Sequence, residues 1–171
     1  MESGDPSVFD AVKQILTDKN YRRIMPLGKG GFADVLSAIA RNKDRIAIKI
    51  IRNENSWPFE EHMWPTFKHP HVLELLDVID VKDLNLKLYI MPRHPCALNK
   101  MISKATFLSD KNGLERVKCW LLDVLEGLDY IHTSGYAHLD LKTDNILISS
   151  KDRGVICDFS GLSPTSVPLK R

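Results

Sequence analysis

The chain is poor in cysteine: Cys96, Cys119 and Cys157 are far apart and odd in number. That excludes a disulfide frame and points to reduced thiols, with the cytoplasm or nucleus as the expected location. It also lacks a charge surplus, with a formal net charge of +2 over 171 residues. So small an excess implies neither nucleic acid nor an anionic membrane as a partner. No apolar run is long enough to cross a bilayer. The opening residues, Met1-Glu2-Ser3-Gly4-Asp5-Pro6, are polar and acidic, so they are not expected to form a signal peptide. There is no internal repeat and no low-complexity tract. What remains, 43% hydrophobic and 27% charged, is the make-up of one ordinary globular domain of modest size.

Two further absences narrow the chemistry. Leu27-Gly28-Lys29-Gly30-Gly31-Phe32-Ala33-Asp34-Val35 is a glycine-rich stretch in which backbone N–H groups can approach a phosphate closely. No Gly-Lys-Ser/Thr closes it, so it is not a Walker loop. No helix follows it, which argues against a dinucleotide fingerprint. A hairpin turn with no ligand accounts for the stretch equally well. The histidines His62, His69 and His71 cluster, but no cysteine or carboxylate completes a zinc set.

Periodicity orders the chain. Val8, Val12, Ile15 and Leu16 have helical spacing, giving a short amphipathic helix that is either a partner-docking segment or a plain N-terminal extension. Tyr21–Leu27, Ala33–Ile39 and Arg45–Ile51 are strand-like, and their short links allow only an antiparallel meander. In the third, Lys49 shares a face with Ala47 and Ile51, while Ile46, Ile48 and Ile50 point the other way. A lysine on a small apolar face wants an anionic partner; taken alone, an edge-strand lysine reaching solvent explains it too. A helix is expected from the N-cap Ser56 to Lys68, ended or kinked at Pro65. Two strands follow, Leu76–Val81 and Leu86–Met91, then a stiff Pro92–Pro95 linker. A short helix at Ala97–Lys104 precedes a long one over Leu114–His132, which Gly135 stops. On the long helix Val117, Trp120, Leu121, Val124, Leu128 and Ile131 form an apolar stripe opposite Glu115, Lys118, Asp123, Glu126 and Asp129.

The stretch that follows carries the chemistry. His138-Leu139-Asp140-Leu141-Lys142-Thr143-Asp144-Asn145 leads into Ile146–Ile148, a polar turn and Val155–Cys157, and then Asp158-Phe159. Loop, strand, turn, strand and loop place carboxylates, an amide oxygen and an ammonium at the ends of two paired strands. That donor set suits a metal-bound polyphosphate. Cys157 reads as a buried small residue of the strand or as a thiol bordering the pocket.

The glycine loop, Ala47-Ile48-Lys49, His138 to Asn145 and Asp158-Phe159-Ser160 occur in the order and intervals of the eukaryotic protein-kinase family, which the chain resembles from about Tyr21 to Gly161. The resemblance implies an α+β, bilobal protein-kinase-like fold with an antiparallel N-lobe sheet and an incomplete helical C-lobe. Its parts would be an N-terminal extension (1–20), an N-lobe (21–91), a hinge (92–95) and a partial C-lobe (96–171). It implies ATP-dependent phosphoryl transfer to serine or threonine hydroxyls, since a lysine two positions after Asp140 marks that branch. The alternative is a kinase-derived module that binds nucleotide or a partner without transfer.

By resemblance, Gly28 and Gly30, with Leu27 and Lys29 of the same loop, would cover the ATP phosphates. Val35, Ala47 and Leu147 would enclose the adenine, and Met91 would guard its back. Lys49 would hold the α- and β-phosphates, oriented by Glu60. Asp140 would accept the substrate proton, Lys142 would contact the γ-phosphate, and Asn145 and Asp158 would hold Mg²⁺. A protein substrate and a regulatory partner are implied, with no nucleic acid or membrane. Trp64, Leu75, His138 and Phe159 match the family's stacked apolar column, which makes His138 structural.

The sequence departs from the family at four points. Leu139 replaces the usual arginine, which removes the local partner of a phosphate on the activation segment. Ser160 replaces a glycine and is expected to restrict the Asp158 loop, with Gly161 compensating. Glu60 falls in the first turn of a broken helix. The sequence stops at Arg171, about ten residues into the activation segment, so the family's Ala-Pro-Glu closure and the helices that complete the second lobe, against which the Val117–Ile131 stripe is expected to lie, are not in it.

Overall fold

Isoleucine at 46, 48 and 50 alternates with Ala47, Lys49 and Ile51, and β-branched residues on a period of two make a strand with two unlike faces. In the computed structural model, which describes residues 6–29, 33–55 and 58–166, this strand is β3 (Arg45–Arg52). It joins β1 (Arg22–Lys29), β2 (Asp34–Ile39), β4 (Asp77–Val81) and β5 (Leu86–Pro92) in an antiparallel sheet ordered β1-β2-β3-β5-β4. Because β3 is paired on both sides, the edge-strand explanation of Lys49 fails.

Helix α1 (Pro6–Asp18) covers the isoleucine face. Val12 and Leu16 are fully buried in one cluster with Leu36, Ile46, Ile48, Ile50, Leu88 and Ile90. This helix is therefore part of the sheet's core, a role that neither a docking segment nor a plain extension describes.

Contacts divide the chain into two units, Met1–Ser56 with Leu75–Arg93 and Trp57–Glu74 with His94–Arg171. In the second unit α2 (Pro58–Met63) stops short of Pro65, and Trp64–Thr66 tightens into a 3₁₀ turn, as a missing donor requires. The N-cap expected at Ser56 lies outside the described residues. Trp64 Nε1 donates to Leu73 O at 2.6 Å, and Leu73 N–H in turn donates to Ile156 O. The α2 segment thus packs with the second unit. That unit continues with β6 (Cys96–Ala97), α3 (Leu98–Ile102), α4 (Ala105–Leu108), α5 (Gly113–Thr133) and β7 (Tyr136–Ala137). Strands β8 (Ile146–Ile148) and β9 (Gly154–Ile156) form the expected hairpin, with β6 on its outer side, and β10 (Ser163–Pro164) pairs with β7.

The long helix differs from its expected amphipathic pattern. Trp120, Val124 and Ile131 are buried and Val117 and Leu128 half-buried, with α5 packed on β9. The Val117–Ile131 stripe is therefore occupied within its own unit. Leu121 of that stripe is the exception: with Leu114, Leu122 and Leu125, which lie outside the stripe, it stays 53–68% exposed. Asp123, expected on the polar face, is instead 1% exposed. Its carboxylate accepts from Arg153 Nε at 2.9 and 3.0 Å, from Arg153 Nη2, and from Gly154 N at 2.7 Å. Burial raises the Asp123 pKa, but Arg153 and the Gly154 amide outweigh it and hold the group below the ordinary aspartate value.

A depressed folded-state pKa contributes stability above the unfolded value, and that contribution fades as pH falls through the folded one. Asp123→Asn should therefore lose about 1–3 kcal/mol at pH 7, as expected for removing the charge of a buried carboxylate whose arginine partner is half exposed. The gap to wild type in urea unfolding should narrow steadily below about pH 4.

Candidate functional site

The two amide hydrogens of Asn145 both go to Asp140. Nδ2 lies 2.9 Å from the Asp140 carbonyl oxygen and 2.9 Å from its Oδ2. Lys142 Nζ donates to the same Oδ2 at 2.7 Å. These bonds fix a half-exposed carboxylate while Asn145 is itself 6% exposed. With its N–H groups committed, the atom Asn145 can offer a cation is Oδ1. Its backbone carbonyl accepts from Cys157 N–H at 2.9 Å, tying the loop to the strand that ends at Asp158. The loop is also held sideways, by Asn99 Nδ2 donating to Asp144 Oδ1 at 2.7 Å. The Lys142 pKa is raised, first by the hydrogen bond to Asp140 and further by the charges of Asp140, Asp158 and Asp144.

His138 organises the start of the loop. Its Nδ1 accepts from Asp140 N–H at 3.3 Å, so Nε2 carries the hydrogen donated to Cys157 O at 3.0 Å. Burial pushes its pKa down despite nearby carboxylates, which keeps the ring neutral. Such a ring with both nitrogens used is a structural strut.

Asp158 adopts a left-handed backbone, φ 64° and ψ 85°, just before a 3₁₀ turn over Phe159–Gly161. A non-glycine residue there is strained, and the strain persists only if neighbours over-determine it. They do. Phe159 is fully buried, with ring centroids 5.4 Å from Trp64, 5.7 Å from Phe67 and 5.6 Å from His138. Phe67, which the sequence reading missed, is a member of this aromatic group. Leu139, in the place of the family's arginine, is likewise left-handed at φ 60°.

The Ser160 exchange has a local explanation. Ser160 is not among the described positive-φ residues, so a side chain costs it no left-handed strain. Gly161 matters for space rather than for backbone freedom, because a Cβ there would lie 2.8 Å from His138 O. Beyond it β10 and β7 pair Ser163 with Ala137 and Pro164 with Tyr136, holding the following segment to the loop's entry strand.

In the first unit the residues read as nucleotide-binding share the face opposite α1. Register sets Val35 beside Lys49, Lys49 beside Tyr89, and Ala47 beside Met91. Ala47 and Met91 are buried and Lys49 half-buried. Gly28, at the end of β1, has nothing within 4 Å of where a Cβ would be, and Leu27 is exposed. Gly30 and the Lys29 side chain lie outside the described residues. Of the remaining candidates, Glu60 is 1% exposed on α2 and Leu147 half-buried in β8, both in the second unit. Among the described residues no group of three or more His, Cys, Asp and Glu could hold a metal ion. The pair expected to hold Mg²⁺, Asn145 and Asp158, would present one amide and one carboxylate oxygen, a set smaller than such a group.

The contrast between neighbouring positions is testable by chemical denaturation. Gly161→Ala should destabilise the chain by about 1–3 kcal/mol through overpacking against His138. Ser160→Gly should change stability by less than about 1 kcal/mol.

Residues 21–167 match the family described as the protein kinase domain. Cyclin-dependent kinase 14 of Xenopus laevis is 30% identical over 165 residues, covering 87% of this chain and 35% of that protein. Two mitogen-activated protein kinases of Arabidopsis thaliana, 7 and 14, are 33% and 32% identical, covering 87% and 86% of this chain and 42% and 43% of theirs. The chain thus spans less than half the length of these curated relatives. With the family match extending over most of its length, the chain belongs to the protein kinase domain family.

Proposed function

We propose that the protein is an ATP-dependent protein kinase that transfers the γ-phosphate to serine or threonine hydroxyls of protein substrates. The observation that carries this reading is the Asp140 carboxylate, held by Asn145 and Lys142 on a loop bonded to the strand that leads into Asp158. Asp140 takes the proton as the substrate oxygen bonds to the γ-phosphorus and the bond to ADP breaks. Lys142 leaves Asp140 for the γ-phosphate and offsets charge as it spreads over the phosphoryl oxygens. Asn145 Oδ1 and the Asp158 carboxylate would hold Mg²⁺, which would supply positive charge to neutralise the phosphates. Lys49 holds the α- and β-phosphates with Glu60 as its orienting partner, and Leu27, Gly28, Lys29 and Gly30 cover them. Val35, Ala47, Met91 and Leu147 enclose the adenine.

Nothing in this site requires a covalent intermediate. Positioning and charge neutralisation supply the rate. The neutral His138 is no proton carrier in this scheme. The dependence of the cyclin-dependent relative on a partner, carried in its name, supports a regulatory protein partner here too.

A thermal-shift series tests binding, and radiolabel transfer to a generic basic protein tests chemistry. ATP should raise the melting temperature only with Mg²⁺, and Lys49→Met and Asp158→Ala should each abolish the rise. Transfer should fall by about 10³-fold or more in Asp140→Asn. Stabilisation that ignores metal and both substitutions would contradict the assigned site. Mg²⁺-dependent binding with no transfer would identify a nucleotide-binding module instead.

A further inference from the structure

The glycine segment begins within β1, at Leu27 to Lys29, and β1 is held on one side only. It lies at the sheet edge, paired only with β2, and it carries two register shifts, between Arg22 and Met25 and between Pro26 and Gly28. Each shift places one extra β1 residue opposite β2, which breaks the ladder and increases twist. Pro26 withholds one more donor. Beyond the second shift the end of β1 is directed by one ladder alone, Gly28 with Val35 and Lys29 with Asp34.

A second restraint comes from α1. The helix ends in a Schellman turn: Tyr21 N–H donates to Leu16 O at 2.9 Å and Asn20 N–H to Thr17 O at 2.9 Å. Asn20 sits left-handed at φ 67°, a conformation asparagine tolerates and β-branched residues resist. Leu16 and Tyr21, the pair that accompanies such a turn, both pack in the cluster under the sheet, as does Ile24 of β1. The helix, the turn and the start of β1 therefore form one rigid joint, anchored by the buried Val12 and Leu16.

We infer that Asn20, with the Leu16–Tyr21 pair, is a positioning element for the end of β1, Leu27 to Lys29, where the proposed nucleotide cover begins. The inference rests on the proposed reading of that segment as a phosphate cover. It makes α1 a determinant of nucleotide affinity as well as of stability.

The test uses the whole 171-residue chain and a fluorescent ATP analogue with Mg²⁺, at a temperature where circular dichroism shows each variant folded. Asn20→Gly, which keeps the left-handed turn, should bind within twofold of wild type. Asn20→Val should bind at least fivefold more weakly. Amide exchange over residues 22–29 should accelerate at least tenfold in the valine variant while β3 and β5 exchange at the wild-type rate. If Asn20→Val does not fold, Asn20→Ala is read in the same way with the same expected direction. A folded variant with wild-type affinity and wild-type exchange in β1 overturns the inference and leaves α1 a stabilising role alone. Failure of the wild type itself to bind would instead overturn the phosphate-cover reading, and the inference with it.

Discussion

One backbone hydrogen bond, from Cys157 N–H to the Asn145 carbonyl, joins the two halves of the acidic site. On one side of it Asn145 spends its amide on Asp140, and on the other the chain turns left-handed at Asp158. Three carboxylates near one another repel, and an unrestrained loop would separate them. The bond, the Asn99 contact to Asp144 and the packing of Phe159 between Trp64, Phe67 and His138 hold them in place. On the proposed reading, a site organised in this way would need little rearrangement when charge develops, which is the condition for electrostatic catalysis.

The framework around the site is stabilised unevenly. In the second unit Asp123, Arg153 and Gly154 knit α5 to the β8–β9 turn, and Trp120 Nε1 adds a bond to Asp152 O. Gly127 lets the same helix approach His71 so closely that a Cβ would lie 2.7 Å from that carbonyl. The far face of α5 shows four leucines more than half exposed, forgoing about 1 kcal/mol or more each in burial. In the first unit the isoleucine face is sealed by α1, so a terminal helix carries part of the core.

Much of this was legible in the sequence because local chemistry and final structure agree. The alternation around Lys49, the hairpin of Ile146–Ile148 with Val155–Ile156 and the Pro65 stop all follow from periods and missing donors. Hiding places were less legible. Asp123 falls on the polar side of a helical wheel, and only the Arg153 guanidinium and Gly154 amide, 30 and 31 positions away, make its burial favourable. Leu121 sits in the predicted stripe yet remains exposed, because the strand beneath α5 takes only Trp120, Val124 and Ile131 fully. Gly161, expected to compensate for Ser160 through backbone freedom, instead serves close approach to His138, as Gly127 does to His71. Phe67 and α1 were missed as core elements because their partners lie on remote segments.

The central claim is that Lys49 and Lys142 serve the phosphates of a bound nucleotide. The most direct measurement is labelling with an ATP derivative bearing a reactive acyl phosphate, which acylates lysines beside the bound phosphates, followed by peptide mapping. The account predicts acylation concentrated at Lys49 and Lys142 and suppressed by excess ATP with Mg²⁺. Labelling spread over surface lysines and indifferent to ATP would contradict it.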